Sequence, residues 1–66
     1  MNITVNGEVT HVPDNCSVDE LIEQLCLSGR RLAVEVNQDI VPRSRHQSQR
    51  LAEGDVVEVV HAIGGG

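Results

Sequence analysis

The sequence predicts an α+β domain: a mixed sheet of about four to five strands with one main helix packed on one face. Three observations carry this. An Asn6-Gly7 pair separates two short segments, a capped amphipathic segment opens at Ser17, and a valine-dense segment begins at Val56. Sixty-six residues suffice for one small domain, so 1–66 is read as a single unit.

The first strand is read from Ile3 and Val5, which alternate with polar neighbours. Asn6-Gly7 then predicts a two-residue hairpin, because both central positions of a type I′ turn need positive φ. The return strand runs from Glu8 to about Pro13. This register sets Val5 opposite Glu8, Ile3 opposite Thr10 and Met1 opposite Val12. Met1, Ile3, Val5, Thr10 and Val12 then face inward.

Ser17-Val18-Asp19-Glu20 is a capping box, in which hydroxyl and carboxylate each satisfy a free backbone N–H. Val18, Leu21, Ile22, Leu25 and Cys26 follow at helical spacing, and Ser28-Gly29 is the expected stop. Asp19, Glu20 and Glu23 complement the helix dipole and read as a solvated face. Cys26 is expected in the core. Cys16 precedes the helix, where the dipole would favour a thiolate, although position alone does not make it reactive. The two cysteines form neither a CxxC unit nor a zinc pattern, and no disulfide is expected.

A third strand is expected from Leu32 to Asn37, a turn at Asn37-Gln38-Asp39, and a short strand Ile40-Val41 ended by Pro42. Residues 43–50 read as a polar loop with one helical turn. Leu51 is a lone apolar anchor, Glu53-Gly54-Asp55 a turn, and Val56 to about His61 the last strand. Its valine density suits a place in the middle of the sheet, beside the first strand. Val57 and Val59 are expected to face the helix, leaving Val56, Glu58 and Val60 outward as a partner surface. This order of hairpin, helix, short strands and final strand is the β-grasp arrangement of ubiquitin-like proteins.

Composition narrows the function. Ten acidic residues against five basic ones argue against a phosphate backbone as partner. The absence of Phe, Tyr and Trp removes a base-stacking platform and leaves a purely aliphatic core. Every basic side chain is Arg, so the chain offers no lysine for attachment to copies of itself. No run approaches the roughly 20 apolar residues of a membrane span, and no leader pattern opens the chain, so a cytoplasmic protein is expected. No nucleotide-binding glycine loop and no nucleophile elbow occur. His11, His46 and His61 fall on different elements and read as ordinary surface residues rather than a metal site; His61 stands near the base of the tail. The chain is therefore read as binding no cofactor and as not being an enzyme.

The remaining candidate for chemistry is the ending, Ala62-Ile63-Gly64-Gly65-Gly66. Residues 62–66 are expected to form a flexible tail reaching roughly 15 Å at about 3.3–3.6 Å per residue. A glycine carboxylate is sterically open, and once adenylated it accepts a sulfur nucleophile that displaces AMP. Val56, Glu58, Val60, His61, Ala62 and Ile63 are the candidate partner surface beside it.

The chain resembles the ThiS family of ubiquitin-like sulfur carriers of thiamine biosynthesis. The resemblance rests on Ile3-Thr4-Val5-Asn6-Gly7, the capped helix from Ser17, Ala33 to Asn37 with Ile40-Val41-Pro42-Arg43, and Gly54 to Val60 leading to the glycines. Many relatives carry Ala where Gly64 stands. The resemblance implies that an ATP-dependent enzyme of the ubiquitin-E1 type adenylates the Gly66 carboxylate. A persulfide from a cysteine desulfurase then converts it to a thiocarboxylate, and a thiazole synthase takes the sulfur. Gly65 and Gly66 would carry this role, with Gly64 extending the reach. The alternatives are a carrier for molybdopterin or cysteine synthesis, a modifier joined through Gly66 to lysines of other proteins, and a binding module with an inert tail.

Overall fold

Residues 1–61 are described by the structure, a computed structural model. Strand β1 (Asn2–Val5) and strand β2 (Glu8–His11) form the expected hairpin. Asn6 and Gly7 both have positive φ, 50° and 86°, as a type I′ turn requires. Val5 pairs with Glu8 and Ile3 with Thr10. Val12 N–H donates to the Met1 carbonyl at 2.9 Å, which sets Met1 against Val12. Helix α1 spans Val18–Gln24, strand β3 Leu32–Val36, strand β4 Asp39–Val41, a 3-10 turn Arg43–Arg45 and strand β5 Val56–His61. Asn37 and Gln38, at φ 51° and 72°, make a second turn with both central residues in the left-handed region.

The five strands lie in the order β2-β1-β5-β3-β4. β5 runs parallel to β1 and antiparallel to β3, which places the valine-rich strand in the middle. α1 packs on one face. Val18, Leu21 and Ile22 join Ile3, Val5, Val34, Val36, Val57 and Val59 in one core. Alternation of inward and outward side chains along each strand makes this selection.

The capping box is complete: Ser17 Oγ accepts from Glu20 N–H at 3.1 Å, and Glu20 Oε1 accepts from Ser17 N–H at 2.8 Å. The helix ends earlier than the Ser28-Gly29 stop. Cys26 N–H donates to the Glu23 carbonyl at 2.9 Å and Leu27 N–H to the Ile22 carbonyl at 3.0 Å. This is a Schellman closure with Cys26, at φ 60°, in the position glycine usually fills. The left-handed conformation turns Cys26 outward, so it is exposed and not part of the core. Leu25 and Leu27, on either side, pack partly buried against the core edge. That apolar anchorage opposes the roughly 1–2 kcal/mol that a residue with a Cβ loses there.

A second departure concerns His46, which is buried rather than on the surface. Its Nε2 lies 3.0 Å from the Val41 carbonyl oxygen. The polar segment after Pro42 is fastened to the start of α1, with Asp19 N–H donating to the His46 carbonyl and Val18 N–H to that of Gln49. Leu51, the expected anchor, is buried in the core cluster, and its N–H donates to the Cys16 carbonyl at 2.8 Å.

Candidate functional site

β5 forms because four of its six residues are valine, whose branched side chains suit a pleated surface packed on both flanks. Its phase is the expected one. Val57 and Val59 are buried, while Val56 (47% exposed), Glu58 and Val60 (55%) lie on the face away from α1. His61 is exposed too, but strand alternation puts it in the phase of Val57 and Val59. It therefore does not share the row of Val56, Glu58 and Val60. It pairs instead with Leu32 at the end of the β3–β5 ladder.

The sheet adds residues that β5 alone does not reveal. Register sets Ala33 opposite Val60, Glu35 opposite Glu58, and Ile40 opposite Glu35. Together with Gln38 and Val56 these line an open hollow of about 550 Å³ on the outer face. Ile40 is 73% exposed, the most exposed of the large apolar residues lining the hollow. The result is an apolar surface crossed by two carboxylates. Its sequence signal was the β4 segment Ile40-Val41, where alternation allows only one of the two to face inward.

Two asparagine side chains hold β5 in place. Asn6 Oδ1 accepts from Val59 N–H at 2.8 Å, and Asn6 Nδ2 donates to the Val59 carbonyl at 3.0 Å. On the other flank Asn37 Oδ1 accepts from Val56 N–H at 2.9 Å, and Asn37 Nδ2 donates to Asp55 Oδ1 at 3.0 Å. Each turn asparagine, chosen for its tolerance of positive φ, thus also binds the strand between the two turns.

The expected tail and its site residues Ala62, Ile63, Gly64, Gly65 and Gly66 lie outside the described residues. Cys16, expected as a thiolate at the start of the helix, is 2% exposed, and its Sγ donates to the Ser17 carbonyl at 3.4 Å. Burial pushes its thiol pKa up, and the neighbouring Glu20 carboxylate adds to the effect. This reverses the thiolate expected from the helix dipole: desolvation outweighs the field of a two-turn helix. Glu20 itself is held below the ordinary carboxylate range, first by the Ser17 backbone N–H and then by the Ser17 hydroxyl. Asp19, Glu20 and Glu23 are exposed, as a solvated face should be. Among the described residues, no group of three His, Cys, Asp or Glu side chains is placed to hold a metal ion. No helix among them is long and apolar enough to cross a membrane.

Comparison with known proteins finds relatives along the whole chain. The ThiS family model matches residues 1–66. The sulfur carrier protein ThiS of Escherichia coli is 32% identical over 66 residues, covering 100% of each chain. A thiazole synthase of Paramagnetospirillum magneticum is 36% identical over 66 residues, 100% of this chain and 20% of that protein. The chain thus spans about a fifth of that relative's length. The crystal structure of a thiamine biosynthesis protein (ThiS) from Geobacter metallireducens superposes with a TM-score of 0.86 at 32% identity, covering 100% of both chains.

Proposed function

The chain belongs to the ThiS family, and from that premise we propose that it carries sulfur for thiazole formation on the carboxylate of Gly66. The observation that supports this most is the match to the family along all of 1–66, ending in Gly64-Gly65-Gly66. The strand that precedes those glycines lies inside the sheet and is paired with β3 as far as His61, so the chain toward them starts from an ordered element.

The chemistry follows from the group involved. A carboxylate is a poor acyl donor because oxide is a poor leaving group. Attack of the carboxylate on the α-phosphorus of ATP, with loss of pyrophosphate, gives an acyl-adenylate. A sulfur nucleophile then adds to the acyl carbon and AMP departs. An E1-like adenylating enzyme supplies the ATP site and this chain supplies the carboxylate. It is in this reading a co-substrate and no catalyst. Glycine at the acyl position leaves both faces of the carbonyl open to attack. A persulfide derived from a cysteine desulfurase is the sulfur source. Its outer sulfur bonds to the acyl carbon as AMP leaves, and a thiol then cleaves the resulting acyl disulfide, leaving the thiocarboxylate and a new disulfide. Thiazole synthase is the acceptor. Similarity to the amino-acid sequence of a thiazole synthase supports that last link.

The outer face of β5 is the docking surface for these enzymes. Val56, Val60 and Ile40 supply apolar area there, and Glu35 and Glu58 favour a partner with basic groups. The test is an intact-mass measurement of the protein incubated with the adenylating enzyme, ATP, a persulfide donor and a thiol reductant. One oxygen is expected to be replaced by sulfur at Gly66, and the loaded protein should support thiazole formation. Addition of one bulky residue after Gly66 is expected to abolish both without unfolding the domain. Normal sulfur loading of the extended chain would overturn the reading.

A further inference from the structure

β5 needs a neighbour on each flank, and β1 cannot supply one for its whole length. The β1–β5 ladder pairs only Thr4 with Val56 and Val5 with Val57. After Asn6 N–H donates to the Val57 carbonyl at 2.9 Å, the chain turns away into β2. On the β3 flank, pairing continues to His61. Residues 58–61 would therefore be held from one side alone, just where the strand leads toward Gly66.

The Asn6 carboxamide fills that place. A primary amide carries the same acceptor and donor as a peptide group. Oδ1 takes the Val59 N–H and Nδ2 the Val59 carbonyl, at 2.8 and 3.0 Å, so the side chain stands in for the next peptide of a parallel ladder. The contact spans 53 positions of sequence. A positive φ at position 6 would be met by glycine equally well, so the turn does not by itself require the carboxamide.

We infer that Asn6 is a positioning residue for the chemistry at Gly66: its carboxamide keeps β5 paired on both flanks as far as Val59, and so fixes the point from which the C-terminal residues reach an enzyme. This rests on the sulfur-carrier reading above. With the carboxamide gone, fraying of residues 58–61 adds four residues to the chain leading to Gly66. The reacting carboxylate is then spread over a larger volume, because effective concentration falls with about the three-halves power of the connecting length.

Asn6→Gly keeps the turn and removes only the clamp. Asn37→Gly is the matched control: it releases the same strand at Val56, the end remote from the glycines. Amide hydrogen exchange and adenylation kinetics with the activating enzyme are measured for both. In Asn6→Gly, Val59 exchange is expected to quicken about tenfold, as for loss of roughly one hydrogen bond. Its kcat is expected to fall about two- to threefold while KM stays near wild type, since the outer face is unchanged. Asn37→Gly should expose the Val56 amide and leave kcat near wild type. Asn6→Asp restores the acceptor but sets a second oxygen against the Val59 carbonyl, and should not rescue kcat. An unaltered Val59 exchange rate or kcat in Asn6→Gly, or an equal fall of kcat in Asn37→Gly, overturns this role for Asn6. If the wild-type chain itself is not adenylated, the carrier reading falls and this role with it.

Discussion

Cys16 and Cys26 show how two residues of one type part company. Cys26 lies beyond the helix at φ 60°, exposed, because a left-handed residue closes the Schellman turn there. Cys16 is sealed beneath the start of the helix, and the loss of solvation raises its thiol pKa. The thiolate is the reactive form, so the two should differ sharply toward an alkylating agent. Iodoacetamide at mildly alkaline pH is expected to label Cys26 alone in the native protein and both residues in denaturant. Peptide mapping of the modified sites checks this, and labelling of native Cys16 at the rate of Cys26 would contradict its burial.

At the scale of the element, β5 carries two separate jobs on its two faces. Val57 and Val59 lock it to the core, and Val56 and Val60 stand half in solvent on the outer face, lining one hollow with Ala33 and Ile40. Changing the outward pair should therefore touch binding and spare stability. Val56→Thr with Val60→Thr keeps the branched side chains that suit a strand and is expected to shift unfolding free energy by no more than about 0.5 kcal/mol per site. The same variant should raise KM for adenylation with kcat little changed, since it makes the contact less apolar and leaves the carboxylate alone. Urea denaturation and initial-rate kinetics separate the two effects. Unchanged KM would move the docking surface elsewhere. α1 tells a complementary story. Its start was legible because Ser17 and Glu20 lie within one turn of each other and cap locally. Its end was not, because the Cys26 turn depends on Leu25 and Leu27 finding core contacts.

For the molecule as a whole, the decisive fact is a small aliphatic core. With no aromatic side chain, the fully buried residues of largest volume are Ile3 and Leu21. A single core of this size rarely supplies more than about 3–5 kcal/mol of stability. Truncation of a buried leucine to alanine removes roughly 2–5 kcal/mol. Leu21→Ala is therefore expected to leave the domain largely unfolded at room temperature, read as loss of the cooperative thermal transition by circular dichroism. A sharp transition near that of the wild type would mean the core collapses around the cavity.

Most of the architecture followed from short-range patterns. Alternation at Ile3 and Val5, the positive-φ pair Asn6-Gly7, the S-x-x-E cap and the phase of Val57 and Val59 each involve residues a few positions apart. Such patterns report local conformational preference, which is why they could be read without coordinates. The reading of the terminal glycines came from the sequence as well, with the resemblance supplying its chemistry. The burial of His46, the sealing of Cys16, the neighbours of Val60 across the sheet and the grip of Asn6 on Val59 were decided by the tertiary structure alone. Each depends on chain segments brought together from far apart, such as the 53 positions between Asn6 and Val59. Local propensity carries no record of such meetings; they form only when the apolar stripes of helix and strands close on one another and desolvate whatever lies between.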